Sequence, residues 1–236
     1  MQAASITNIG QVRRQNQDRY LVDLETGLFV VCDGMGGHKA GEVAAQIGVD
    51  TMARVFLDMD SEAPDTVLLT AIFEANKRIY SQGQESEDYR DMGTTITAAL
   101  FREGTMYVAS VGDSSLFLIN QTEIKKVTED HTLAEKLIQE GLLDEKERSR
   151  HRYRHVLIRA LGIQESVAVD LNTLQPQNGD FVLIASDGLT DLVEAHEIKE
   201  MVLNSADLDE ALEKMLDLAL DRGGHDNITM ILILVS

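Results

Sequence analysis

Four aspartates stand where apolar stretches of the chain stop. Leu28–Cys32 ends at Asp33-Gly34, Met106–Val111 at Gly112-Asp113 and Phe181–Ser186 at Asp187-Gly188, while Ile228–Val235 begins just after Gly223-Gly224-His225-Asp226. One aspartate beside a glycine is an ordinary turn, since aspartate favours turns and glycine supplies positive φ. Four of them at the ends of buried strands would lie at the margin of the core, partly dehydrated. They would repel one another unless a cation joined them. Oxygen ligands with no cluster of cysteine or histidine favour a hard divalent ion, Mg²⁺ or Mn²⁺. The adjacent glycines would let a backbone carbonyl approach such an ion.

Holding these groups requires a frame of strands. Tyr20–Val22, Leu28–Cys32, Thr94–Phe101, Met106–Val111, Ser115–Ile119, Glu123–Val127, Val167–Leu171, Phe181–Ala185 and Ile228–Val235 read as strands from their apolar runs bounded by Gly, Asn and Asp. Glu103-Gly104 reads as a hairpin turn. Helical period appears in Ala44, Ile47, Thr51, Met52 and Val55. It recurs in Leu68–Ile79 after Pro64-Asp65, and in Leu208–Ala219 behind an Asp207/Glu210 capping box. Thr132–Glu140 adds a fourth helix, stopped by Gly141. Many strands joined by tight turns, clustered between helices, predict a layered arrangement with a largely antiparallel sheet core.

The composition narrows the partners. With 40 acids against 21 strong bases, the formal charge is -19, which excludes a nucleic-acid footprint for the molecule as a whole. A 44% hydrophobic content is too high for a disordered acidic chain. One cysteine excludes a disulfide framework. The longest apolar run, Ile228–Val235, is far short of the roughly 20 residues of a membrane helix. A soluble, cytoplasmic, monomeric protein with one domain over residues 1–236 is the expectation.

Other chemistries fail on inspection. Gly34 to Gly41 is not a dinucleotide-binding loop, because Lys39 holds the third glycine position, and no P-loop is present. Cys32 has His38, not arginine, six residues on, and sits inside an apolar strand. Asp207–Asp221 is not a calcium loop, because Leu212 holds the obligatory glycine position. His151 and His155 have i,i+4 spacing, but no third ligand is evident for zinc.

Nine blocks in order resemble a known family. They are Thr7–Arg13, Asn16–Asp18, VCDGMGGHKAGEVA (31–44), MGTT (92–95), VGDS (111–114), EDHT (129–132), RALG (159–162), SDGLTD (186–191) and GGHDNIT (223–229). Together they resemble the bacterial type 2C protein phosphatases, the metal-dependent PPM family of Ser/Thr phosphatases. The resemblance implies an α+β fold, a four-layer α-β-β-α sandwich of two antiparallel β-sheets flanked by helices. It implies hydrolysis of phosphoserine and phosphothreonine by direct attack of a metal-bridging water, with two Mn²⁺ or Mg²⁺ ions in a central site. Asp33 would bridge the ions, Asp187 and Asp226 would complete the first, and the Gly34 carbonyl would serve the second. Asp18 would orient water on the second ion, and Asp113 with Asp187 would hold a third. Arg13 would grip the substrate phosphate. His38 would either protonate the departing Ser or Thr oxygen or cap a turn or the helix that follows. The implied partners are phosphorylated Ser/Thr proteins, including a cognate Ser/Thr kinase. His131 and His225 read as structural, positioning Asp130 and Asp226.

The chain departs from the family pattern at some positions. Ser115 stands where an arginine is usual, and Gln17 where some relatives carry a glutamate. His151-Arg152 and Arg154-His155 replace the usual His-Pro and Arg-Asn. None of these is a proposed metal ligand, so a catalytically silent phosphoprotein binder is disfavoured. Arg148–Arg159 carries five arginines and no acid, within a segment, about 141–160, where the family places a flap beside the active site. Its charges either pair with the acidic surface or attract the phosphopeptide.

Overall fold

The computed structural model describes residues 1–37, 40–58 and 62–236. His38 lies outside the described residues, so the role expected of it stands on the resemblance alone.

Twelve strands are described: β1 (Gln2–Asn8), β2 (Arg19–Asp23), β3 (Leu28–Cys32), β4 (Gly34–Met35), β5 (Gly93–Thr94), β6 (Ile96–Arg102), β7 (Thr105–Val111), β8 (Ser115–Ile119), β9 (Ile124–Lys126), β10 (Asp170–Leu174), β11 (Phe181–Ala185) and β12 (Ile228–Leu234). They form two five-stranded antiparallel sheets, in the orders β1-β12-β11-β8-β9 and β10-β7-β6-β3-β2, with a β4-β5 ribbon between the ends of two strands.

The two-residue period of a strand explains the layers. Leu28, Val30 and Cys32 of β3 face the helices α1 (Ala40–Asp58) and α2 (Pro64–Glu85), whereas Phe29 and Val31 face the other sheet. In β12, Met230 and Leu232 face α4 (Asp187–Thr190), α5 (Ala195–Leu203) and α6 (Leu208–Asp221), and Ile231 and Ile233 face the β10-β7-β6-β3-β2 sheet. Three apolar clusters follow, one between the sheets and one under each helical layer. This is the expected four-layer α-β-β-α sandwich. Helices cover both outer faces, so the central strands carry unbroken apolar runs rather than alternation.

Local chemistry sets the element ends. Glu103 and Gly104 both have positive φ (50° and 77°), the turn a tight β6–β7 hairpin needs. Pro64 starts α2 where its missing N–H costs nothing. Asp207 caps α6 by accepting from Glu210 N–H at 2.9 Å, but Glu210 turns back to Ala206 N–H instead of Asp207 N–H. The expected capping box is therefore only half formed. α3 (Leu133–Gln139) begins at Thr132, whose hydroxyl accepts from Glu135 N–H.

Four elements differ from expectation. β1 was not foreseen, because its QAASITN sequence has few large apolar side chains, and it is held by a seven-pair ladder to β12. The strand expected at Val167–Leu171 lies at Asp170–Leu174, where pairing with β7 sets its register. The run Thr94–Phe101 breaks at Thr95, whose neighbours divide between the β4–β5 ribbon and β6. α5, too, gave no sequence signal.

Candidate metal centre

The strand-end aspartates meet in one cleft of about 560 Å³. Asp33 follows β3, Asp113 follows β7, Asp187 follows β11 and opens α4, and Asp226 precedes β12. Asp33, Gly34, Asp113, Asp187 and Asp226 all line the cleft, together with Arg13. Asp18 lies just behind it, buried, its Oδ2 accepting from the Ser186 hydroxyl at 2.8 Å.

Each acid is held by backbone geometry that depends on polar neighbours. Asp33 N–H donates to Thr95 Oγ1 (3.0 Å), and Asp33 O accepts from Thr95 N–H (2.9 Å) and the Thr94 hydroxyl (2.9 Å). Thr95 Oγ1 also meets Ser114 Oγ at 2.8 Å, tying the Asp33 turn to the Asp113 turn. Asn227 does the same on the other side. Its Oδ1 accepts from Gln17 N–H (2.8 Å), and its Nδ2 donates to Ile9 O (2.9 Å) and Gln15 O (3.0 Å). The loop carrying Arg13 is thereby fastened beside Asp226. Arg13 itself donates through Nη2 to Asp226 Oδ2.

Gly34 has no room for a side chain. A Cβ there would stand 2.1 Å from Gly41 O and 2.6 Å from Gln17 O. Gly112, at φ +108°, turns β7 toward Asp113.

Crowding shows in the electrostatics. Removal from water, then the charges of Asp18, Asp187, Asp113 and Asp226, hold the Asp33 carboxyl well above its ordinary range. Asp187 is raised likewise, by burial and then by Asp113, Asp191, Asp226 and Asp18. Burial pushes Asp18 up to about 6 against opposing hydrogen bonds from Thr229 and Ser186. Asp113 is pushed up to about 7 by burial and by Asp130. Asp18 Oδ1 and Asp187 Oδ1 are buried and accept no hydrogen bond among the described residues. Anionic oxygens without donors, a dense set of carboxylates and a carbonyl approach reserved by glycine all fit hard divalent cations.

Two acid–base groups went unrecognised in the sequence. Asp191 follows Asp187 by four residues and shares its helix face. His155 Nδ1 lies 3.2 Å from Asp191 Oδ2 and 3.9 Å from Asp187 Oδ2. Histidine 155 thus meets two aspartates across the cleft, not His151, whose ring packs edge-on against Tyr153. His155 and Arg154 lower the Asp191 carboxyl, though burial outweighs them and leaves it raised. The i,i+4 spacing in SDGLTD was the available signal for Asp191; the His151/His155 spacing pointed only to zinc, and nothing local paired His155 with these aspartates.

His131 also has a different job from the one expected. Its ring Nδ1 accepts from Gly112 N–H (3.0 Å), and its own N–H donates to Gly112 O (2.9 Å). Nε2 then carries the proton toward Asp170 Oδ2 at 3.1 Å, and Arg159 donates to Asp170 Oδ1 at 2.6 Å. Asp130 instead pairs with Lys126 at 2.6 Å. His131 therefore fixes the turn before Asp113, while His225 lines the cleft beside Asp226.

The basic segment divides. Arg148 pairs with Glu135 at 2.9 Å, Arg159 pairs with Asp170, and Arg152 lies over the Tyr153 ring. The Arg150 side chain lies outside the described residues. Arg154 lines the cleft, and its guanidinium has no ion pair among the described residues. Ser115, in place of the usual arginine, is fully buried on β8 and does not line the cleft.

Comparison with known proteins agrees with this geometry. The family profile described as Protein phosphatase 2C matches residues 11–232. The serine/threonine phosphatase stp of Listeria innocua is 32% identical over 240 residues, covering 99% of this chain and 95% of that protein. The crystal structure of the Mycobacterium tuberculosis serine/threonine phosphatase PstP/Ppp superposes with a TM-score of 0.93 at 32% identity, covering 100% of this chain and 98% of that one. The catalytic domain of the serine threonine protein phosphatase PstP in complex with 2 manganese ions superposes with a TM-score of 0.89 at 31% identity, covering 100% and 98%. With the profile spanning nearly the whole chain, and full-length relatives above 30% identity, the chain belongs to the protein phosphatase 2C family.

Proposed function

We propose that this chain removes phosphate from phosphoserine and phosphothreonine in proteins, using Mn²⁺ or Mg²⁺ held by its strand-end aspartates. The observation that carries the reading is the convergence of Asp33, Asp113, Asp187 and Asp226 with Arg13 in one cleft. Asp33 would join two ions, Asp187 and Asp226 would hold the first, and the Gly34 carbonyl would hold the second. Asp18 would orient solvent from behind, and Asp113 with Asp187 would hold a third ion. When bound, such ions place positive charge at the phosphate and lower the pKa of water toward neutrality.

The chain's own residues supply the rest. Arg13 presents a planar fork that matches two phosphate oxygens. Asp226 holds that fork in place beside the cleft. Among the described residues the cleft offers no activated nucleophile: Cys32 is fully buried, and burial drives its thiol pKa far up. That favours direct transfer of phosphate to water over a phosphoenzyme. His38 is proposed as the acid for the departing oxygen. Arg154 is proposed to attract the phosphopeptide, as a cation of the flap at about 141–160 that lines the cleft and has no ion pair among the described residues.

The setting fits a cytoplasmic signalling enzyme, monomeric over one domain of 236 residues, that reverses a cognate Ser/Thr kinase. Among the described residues no helix is long and apolar enough to cross a membrane. Two assays test the reading: hydrolysis of an aryl phosphate and of a phosphothreonine peptide, each with Mn²⁺ and with chelator. Turnover of both that the chelator abolishes is expected. Absence of metal-dependent turnover on both would overturn it.

A further inference from the structure

A second cavity, of about 290 Å³, opens beside the catalytic cleft and shares Met35 and Leu157 with it. Its apolar lining includes Ile158, Ile163, Val167 and Ala168, and Ile158 and Ile163 are 45% and 42% exposed. Its floor is Gly93. A Cβ there would stand 2.8 Å from Met35 Cε and 2.9 Å from Ile163 Cδ1, so the two apolar walls meet over a residue without a side chain.

The groove is rigidly tied to the site. Gly93–Thr94 pairs with Gly34–Met35, the ribbon that carries the Gly34 carbonyl. Thr94 and Leu161 exchange both backbone hydrogen bonds, at 3.1 and 2.9 Å. The buried Asn76 holds the far wall, accepting from Gly162 N–H (2.9 Å) and donating to Gln164 O and Glu165 O (3.1 Å each). Arg159 also lines the groove, but its charge is committed to Asp170.

We propose that this groove is a specificity subsite for an apolar side chain close in sequence to the phosphorylated residue of the protein substrate. The proposal rests on the phosphatase reading of the adjoining cleft. Small-molecule pockets run from roughly 300 to 1,000 Å³, so this cavity suits one side chain better than a separate ligand. Continuity through Met35, one residue from Gly34, and through Leu157 names the occupant: the groove lies beside the place where a chain would set its phosphate on the aspartate cluster. An extended peptide advances about 3.3–3.6 Å per residue, which places the recognised side chain within roughly three residues of the phosphorylated one. The arrangement predicts selection by hydrophobic burial here, alongside any attraction by Arg154.

The test is a set of phosphothreonine peptides with Leu or Asp placed in turn at each of the three positions on either side. The aryl phosphate serves as a reference substrate, since it carries no flanking residue to place in the groove. At one position Leu should exceed Asp by about tenfold or more in kcat/KM, the scale of hydrophobic-pocket discrimination. Ile163→Asp and Ile158→Asp should each erase that preference and leave aryl-phosphate turnover unchanged. Both side chains are half exposed, so the variants should fold. No apolar preference at any position, with aryl-phosphate turnover intact, would overturn this proposal alone. So would a preference that survives both variants, or variants that change only the sedimentation coefficient, which would mark a self-association face. Absence of metal-dependent aryl-phosphate turnover would overturn the phosphatase reading and this proposal with it.

Discussion

At the scale of single residues, the cleft is built from charges that oppose folding until something neutralises them. Asp187 carries a buried oxygen with no donor among the described residues and the field of four neighbouring aspartates. Asp187→Asn should therefore abolish metal-dependent turnover while raising the melting temperature of the metal-free protein. Thermal melts with and without Mn²⁺ check both, and the variant should lose most of the Mn²⁺-induced rise seen in the wild type. Asp113→Ala should impair turnover without removing the two central ions, as read by Mn²⁺ stoichiometry in calorimetry. The aspartates were legible because each ends an apolar run beside a glycine. Asp191 shares only the i,i+4 helix spacing, and His155 comes from an irregular segment where sequence spacing does not determine spatial neighbours. The turn held by His131 involves backbone groups of Gly112, which side-chain identity does not reveal.

At the scale of elements, the site depends on how loops are latched to strand ends. Asn227 makes three hydrogen bonds to the segment that carries Arg13 and Asp18. Asn227→Ala should cost about 1–3 kcal/mol in denaturant unfolding, since backbone groups lose their partner in a largely buried place. It should also raise KM by loosening Arg13. In the basic segment, Arg154→Ala should raise KM for a phosphopeptide more than for an aryl phosphate; equal effects would remove it from peptide recognition. The central strands and the long helices were legible because burial on both faces leaves unbroken apolar runs, and helix stripes repeat over several turns. β1 and β10 were missed or shifted because edge strands take their stability and register from pairing with distant partners, β12 and β7. The basic segment's arginines looked alike in sequence, yet ion pairs occupy Arg148 and Arg159 and leave Arg154 facing the cleft.

At the scale of the molecule, the -19 formal charge is not spread evenly. A cluster of aspartates, set beside Arg13 and Arg154, forms a cleft that cations would convert into a phosphate site. The pH dependence follows from the raised carboxyls. Asp18 and Asp113 titrate near 6 and 7 in the folded chain against an ordinary 3.8, so the metal-free native state binds more protons than the unfolded one between those values. Its stability should then fall as pH rises from about 4 to about 7. Mn²⁺ should reverse that trend by replacing the protons, and its affinity should increase over the same window. Melting temperature against pH, with and without Mn²⁺, reads both slopes. The central claim, that these aspartates make the chain a metal-dependent protein phosphatase, is tested most directly by phosphate release from a phosphothreonine peptide. The wild type and Asp33→Ala should be compared with Mn²⁺ and with chelator, with circular dichroism to verify folding. Release by the wild type only with Mn²⁺, and none by folded Asp33→Ala, is the predicted result. Release that persists in chelator or in the Asp33→Ala variant would contradict it.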